Sequence, residues 1–269
     1  VHALAVNGTF DDCQALVKTL FADAALRNTV NLLAVNSINW ARVMAQIVYY
    51  FYAALALGAP AQRVHFCVPT GNFGDIFAGY MAKQMGLPLG KLIIASNSND
   101  ILTRCYKTGR YAVTGVRATL SPSMDIQVSS NFERLLFDLH GRDATSLRTA
   151  MERFATTKTL RLSPAAHADF KAQFLAASLG DTATLAQIKH TYRHSGILLD
   201  PHTAVGVGVA EHAQHDGSVV TLATAHPAKF PAAVKKATGI TPPLPQHLAK
   251  IHNRKERIIP MANNADALK

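Results

Sequence analysis

The sequence predicts an α/β protein built on a doubly wound, mostly parallel sheet. Three observations carry this. Short apolar runs that read as buried strands (Val64 to Val68, Leu92 to Ala95, Val219 to Ala223) recur along the chain. Between them lie segments with helical apolar spacing, the pattern of βαβ units. The third is a glycine turn placed where one of these strands ends and a helix begins, the position at which such sheets gather ligands.

Taken in order, Val1 to Val6 reads as a strand, and Thr9-Phe10-Asp11-Asp12 as a helix N-cap with an acidic residue at the third helical position. Phe10, Cys13, Leu16, Val17, Leu20 and Phe21 then follow at helical spacing. Val30 to Val35 is a short apolar run expected to form a strand or strand-like segment. Asn36-Ser37-Ile38-Asn39-Trp40-Ala41-Arg42 leads into a long apolar helix ending near Ala56, stopped by Gly58 and Pro60. Ser37 or Asn39 could cap that helix. With Arg42 one turn inside, hydroxyl, amide, guanidinium and free N–H groups make a plausible anion site. An ordinary cap with a surface arginine explains the same pattern.

The chain is organised around Val64-His65-Phe66-Cys67-Val68-Pro69-Thr70-Gly71-Asn72-Phe73-Gly74-Asp75. A strand stops at Pro69, a turn follows, and Ile76 to Lys83 continues as a buried helix. Gly71 and Gly74 are expected to supply positive φ at little steric cost. Such a junction aims several backbone N–H groups and the positive end of a helix dipole at one spot, which suits a phosphate. A tight turn with no ligand remains the alternative.

Leu87 to Gly90 breaks the helix, and Asn97 to Asp100 is expected to cap Ile101 to Tyr106. Between Ser130 and His194 only helices are expected: Asn131 to His140, Ser146 to Thr156, Pro164 to Leu179 and Thr182 to Ser195. Strand signals return at Ile197 to Leu199, and Asp200-Pro201 starts a helix with proline early. Gly206 and Gly208 inside it suggest close packing on the sheet. Thr224 to Phe230 follows the last core strand, with Thr224 either a ligand contact or a helix cap. The expected organisation is therefore 1–129 as an α/β segment with the phosphate-binding turn, 130–195 as a helical insertion, 196–240 as a return to the core, and 241–269 as a peripheral basic tail.

With 269 residues, 49% apolar and 16% charged, the chain can bury a sizeable core. No apolar run reaches the ~20 residues of a membrane span. Cys13, Cys67 and Cys105 are widely spaced and odd in number, which argues for a reducing, cytoplasmic compartment and against a disulfide framework or a zinc site. The formal charge of +10 is dispersed apart from Lys235-Lys236 and the stretch Lys250 to Arg257, and no nucleic-acid-binding signature accompanies it. An anionic substrate or a solvated basic face accounts for it. His212 and His215 lie three apart without a third metal ligand, so no metal is expected.

Four motifs in a fixed order carry a resemblance: Asn7-Gly8-Thr9-Phe10-Asp11-Asp12-Cys13-Gln14, Asn36 to Arg42, Pro69 to Asp75, and Thr224 to Phe230. Together they resemble threonine synthase, a pyridoxal-phosphate enzyme family of the tryptophan-synthase-β-like fold (fold type II), closest to its long form with a helical insertion. The resemblance implies that Gly71, Asn72, Phe73 and Gly74, with Asp75 beside them, hold the cofactor phosphate. It implies that the Thr224 hydroxyl faces the pyridine nitrogen, leaving it less protonated than an aspartate would. It also implies that Ser37, Asn39 and Arg42 hold the substrate phosphate. The reaction implied is O-phosphohomoserine and water giving L-threonine and phosphate. A serine or threonine dehydratase, or a non-catalytic ligand-binding relative, is the alternative.

One departure is large. The family's Schiff-base lysine lies in a Ser-Phe-Lys-Asp context that the 269 residues do not contain. Lys229 is read as structural, so no catalytic residue is assigned within this chain. Val1 opens what reads as a strand, without an initiator methionine. The chain is accordingly expected to be the C-terminal part of an enzyme, to need its N-terminal part for turnover, and to act as a monomer or homodimer without nucleic-acid or membrane partners.

Overall fold

The structure, a computed structural model, describes residues 2–8 and 10–268. In chain order the elements are β1 (Ala3–Val6), α1 (Phe10–Ala22), α2 (Ala24–Thr29), α3 (Trp40–Ala56), β2 (Val64–Pro69), α4 (Gly74–Gln84), β3 (Leu89–Ser96), α5 (Ile101–Thr108) and β4 (Arg110–Ala112). They continue with α6 (Phe132–Leu139), α7 (Ala144–Thr157), β5 (Thr159–Arg161), α8 (Pro164–Gln173), β6 (Phe174–Ser178), α9 (Asp181–Ser195), α10 (Pro201–His212), β7 (Ser218–Thr221), α11 (Pro231–Thr238) and β8 (Ile258–Met261).

Two compact units result. The larger, Ser37–Pro243, is organised on a four-stranded sheet in the order β6-β3-β2-β7, with every neighbouring pair parallel. Every residue of β2 is buried. Alternate residues point to opposite faces of a strand, and here the two faces meet different helices. Phe66, Val68, Leu92 and Ile94 pack with Tyr50 of α3 and Ile76 of α4. Cys67, Ile93 and Ala95 pack with Val205 and Val209 of α10. The sheet is thus wound on both sides, as expected.

Small residues allow the helices to lie close. A Cβ on Gly79 would stand 2.4 Å from the Tyr50 ring, and one on Gly206 would stand 2.8 Å from Thr221 and 3.0 Å from Pro69. Asp200 caps α10 by accepting from the amides of His202 (2.8 Å) and Thr203 (3.4 Å), with Pro201 in the first turn.

The smaller unit, Val1–Asn36 with Leu244–Lys269, contains the parallel pair β1–β8. The stretch from Thr241 is therefore more than a peripheral tail, since Ile258–Met261 completes a ladder with Ala3–Val6. Of the expected first helix cap, Thr9 lies outside the described residues.

Other expectations are corrected. Val30 to Val35 forms no strand, and Leu33 and Val35 are exposed, so this apolar run has no sheet to join. Ile197 to Leu199 is likewise irregular and leads into the Asp200 cap. The region 130–195 is not purely helical: Thr159–Arg161 pairs antiparallel with Arg110–Ala112, and the helix expected to run to Leu179 ends at Gln173. Phe174–Ser178 is instead the edge strand of the main sheet, paired with Leu92–Ser96. Leu and Ala favour helix locally, but a ladder to β3 and complete burial of Phe174 outweigh propensity. Asp100 makes no side-chain cap bond to α5. Among the described residues no helix is long and apolar enough to cross a membrane.

Candidate active site

The carboxyl ends of β2 and β7 lie side by side, because Cys67 pairs with Thr221. The turn after β2 and the loop after β7 therefore face one another. Between them lies a cavity of about 260 Å³, close to the lower end of ligand-pocket volumes. Gly71, Asn72, Phe73, Gly74 and Asp75 line it from one side, and Thr224 also contributes to its wall. Ser37 and Arg42, from the start of α3, line it too. Asn39 does not. Its side chain accepts from the Ala41 amide at 2.9 Å and caps α3, the helix that carries Arg42.

The turn departs from expectation in an instructive way. Neither Gly71 nor Gly74 adopts positive φ; Phe73 does, at φ 62°. A left-handed non-glycine residue is strained, on the order of 1–3 kcal/mol, and needs surrounding structure to hold it. Here the Phe73 ring is buried against Phe132 at 5.3 Å and Phe174 at 5.8 Å. Gly71 is required for close approach instead: a Cβ there would come within 2.7 Å of the Ser123 carbonyl. A Cβ on Gly74 would meet the Asn131 amide at 3.3 Å and the Ser37 carbonyl at 3.6 Å.

Among the described residues, the amides of residues 71 to 76 donate to no protein acceptor. Their carbonyls are held firmly from behind. Ser129 Oγ donates to the Gly71 carbonyl at 2.7 Å, and the Asn131 amide and side chain both donate to the Asn72 carbonyl at 3.0 Å. Asn131 Nδ2 also reaches the Ser37 carbonyl at 2.8 Å, joining the α3 entrance to the turn. Six such donors around the N-terminal end of α4, with the Arg42 guanidinium on the same cavity, are a set that could hold an anion.

Asp75 sits in the first turn of α4. Burial pushes its carboxyl up to about 6, although a hydrogen bond from the Tyr50 hydroxyl pulls the other way. Lys229 is exposed, its ammonium 6.0 Å over the Phe230 ring, and it does not line the cavity. A larger cavity of about 760 Å³ is lined by Trp40, Phe77 and Arg134 among others and by none of the amides of residues 71 to 76.

Sequence reasoning missed Ser123, Ser129 and Asn131. The polar run Ser129-Ser130-Asn131 before an apolar helix was a signal of capping, but its bonds run to a turn nearly sixty residues away.

The family model described as "Pyridoxal-phosphate dependent enzyme" matches residues 1–181, and that described as "Threonine synthase, C-terminal" matches residues 203–269. The chain is 52% identical over 266 residues to a threonine synthase of Pseudomonas aeruginosa, covering 98% of this chain and 57% of that protein. A crystal structure of PLP-bound threonine synthase from Brucella melitensis superposes with a TM-score of 0.92 at 52% identity, covering 100% of this chain and 58% of that one. The yeast threonine synthase structure gives 0.85 at 39% identity, with 100% and 58% covered. The chain thus spans a little over half the length of the curated relatives it matches.

Proposed function

We propose, since this chain belongs to the pyridoxal-phosphate-dependent enzyme family, that its cavity holds the cofactor for a threonine synthase reaction, converting O-phosphohomoserine and water to L-threonine and phosphate. The observation that carries this is the row of unpartnered amides at residues 71 to 76, on the same cavity as the Thr224 hydroxyl. A phosphate suits these residues because the amides of residues 71 to 76 donate to no protein acceptor among the described residues and Gly74 opens α4. Gly71, Asn72, Phe73 and Gly74 bind the phosphate through their N–H groups, with Asp75 beside them. Thr224 offers a neutral hydroxyl to the ring nitrogen.

Bound there, pyridoxal phosphate supplies an electron sink for carbanions next to the substrate amine. The chain's own residues bind and orient. Arg42 and Ser37 hold the substrate's phosphate, and Asn39 contributes by capping the helix that presents Arg42. Fixing a dianion in a preformed cradle favours departure of the leaving group through positioning and electrostatics. Among the described residues no lysine lines this cavity, and in this reading turnover draws its lysine from elsewhere in the enzyme.

Titrating the chain with pyridoxal phosphate and with pyridoxal tests the cradle. We expect binding of the first, at least tenfold weaker binding of the second, and a comparable loss for Arg42→Ala toward phosphohomoserine. Equal affinity for pyridoxal and its phosphate would overturn the reading. Phosphate release from phosphohomoserine by the 269 residues alone would overturn the need for a further segment. Preference for serine over phosphohomoserine in the enzyme that includes this chain would favour a dehydratase.

A further inference from the structure

The loop carrying Ser123 and the segment Thr224 to Phe230 reach the cavity from different parts of the chain, and one buried side chain touches both. His202, in the first turn of α10, is 3% exposed. The Ser123 amide donates to its Nε2 at 3.2 Å. That bond needs a lone pair on Nε2, which places the ring proton on Nδ1, and Nδ1 lies 2.9 Å from Asp200 Oδ1. Asp200 is buried and also accepts from the Thr203 hydroxyl. Burial alone would raise its carboxyl, but the hydrogen bonds from His202 and Thr203 outweigh it and hold it below the usual range. The His202 ring packs against Phe230 with centroids 4.8 Å apart.

We infer that His202 is a positioning residue for the cofactor cavity. It ties the Ser123 loop, which rests on the phosphate turn at Gly71, to the Phe230 end of the segment that carries Thr224. Ser123 and Thr224 are not bonded to each other among the described residues, so beyond the β2–β7 ladder this ring is a contact that the two walls share. Asp200 fixes the tautomer, the tautomer fixes the Ser123 amide, and the ring face fixes Phe230. This rests on the cofactor reading above, and goes beyond it by assigning a residue that touches no ligand.

The test separates the ring's two nitrogens. In His202→Asn the side-chain amide can still donate to Asp200 but no longer reaches Ser123. In His202→Gln an oxygen stands where Nε2 was and can accept from Ser123. Pyridoxal phosphate affinity of the 269-residue chain is measured for wild type and both variants, together with amide hydrogen exchange at Ser123 and at residues 225–230. We expect His202→Asn to weaken affinity about tenfold and to speed exchange at both places while β2 stays protected. His202→Gln should recover most of the affinity and the Ser123 protection. Equal losses in the two variants, in step with their loss of thermal stability, would mean a merely structural histidine. Wild-type exchange at 225–230 in His202→Asn would equally defeat the coupling. If the wild-type chain fails to bind pyridoxal phosphate, the cofactor reading fails, and the exchange pattern still decides the role of His202.

Discussion

The Tyr50 hydroxyl donates to the Asp75 main-chain carbonyl at 2.8 Å and to its carboxylate at 3.2 Å, linking α3 to the first turn of α4 beneath the cavity. Tyr50 is fully buried, and desolvation followed by the nearby Asp75 charge pushes its hydroxyl well above the ordinary tyrosine value. It stays a neutral donor at any working pH. Tyr50→Phe keeps the ring against Phe66 and leaves the Asp75 groups unsatisfied. We expect a loss of about 1–3 kcal/mol in urea unfolding. A change of less than a few tenths would show that water replaces the hydroxyl.

Asp75 also gives a pH dependence with a definite sign. Its carboxyl rises from 3.8 to about 6 in the fold, so the folded state holds the proton more tightly than the unfolded chain. The stabilisation that this represents is complete below about pH 4 and is lost as pH rises through about 6. Its size is on the order of 1–3 kcal/mol. Asp75→Asn should therefore gain stability over wild type at pH 8 and show no such gain at pH 4. Chemical denaturation at the two values checks it, and a gain at pH 4 alone would reverse the sign.

Gly71 matters for proximity rather than for φ. Gly71→Ala places a methyl 2.7 Å from the Ser123 carbonyl, a backbone atom that cannot rotate away. Overpacking of this kind costs about 1–3 kcal/mol. Displacing the turn from Ser123 should also reduce pyridoxal phosphate affinity by at least tenfold. Calorimetric titration beside a melting curve tells the two effects apart, and unchanged affinity would show that the turn adapts.

Two left-handed residues should respond oppositely to substitution. Lys158 has φ 54° at the exposed carboxyl end of α7, with no packing to lose. Lys158→Gly should stabilise by up to about 1 kcal/mol. Phe73 has nearly the same φ, but its ring lies among Phe132 and Phe174. Phe73→Gly relieves the same strain and should still cost about 3 kcal/mol or more, because a large cavity opens. Urea unfolding of both variants gives the comparison, and equal signs would refute it.

Asn131 joins the entrance of α3 to the turn after β2. Asn131→Ala leaves the Ser37 and Asn72 carbonyls short of a buried donor. A loss of about 1–3 kcal/mol is expected, with weaker binding of both pyridoxal phosphate and phosphohomoserine. Asn39→Ala should cost about 1 kcal/mol through its cap and affect only phosphohomoserine. Loss of both ligands in Asn39→Ala, or of neither in Asn131→Ala, would contradict this division.

Much of the fold was legible because its signals are local. Val64 to Pro69 and Leu92 to Ala95 are strands by their apolar runs, and Asp200-Pro201 starts a helix by its cap chemistry. Phe174–Ser178 was not legible, because its helix-forming residues become a strand only when β3 offers a ladder. Val30 to Val35 failed in the opposite way, as an apolar run without a partner strand.

The sequence by itself determined the glycine turn after a buried strand, the order of the four motifs, and hence the family and the residues to suspect. Those depend on backbone chemistry and spacing, which a linear string carries. Only the tertiary structure decided that Phe73 rather than a glycine takes the left-handed conformation, since that requires two aromatic rings from separate elements to hold it. Only it brought Ser37, Arg42 and Thr224 to the turn, and set Asn131 and His202 behind them. Such placements arise from hydrogen bonds between residues about sixty to ninety-five positions apart, whose partners no local pattern can specify.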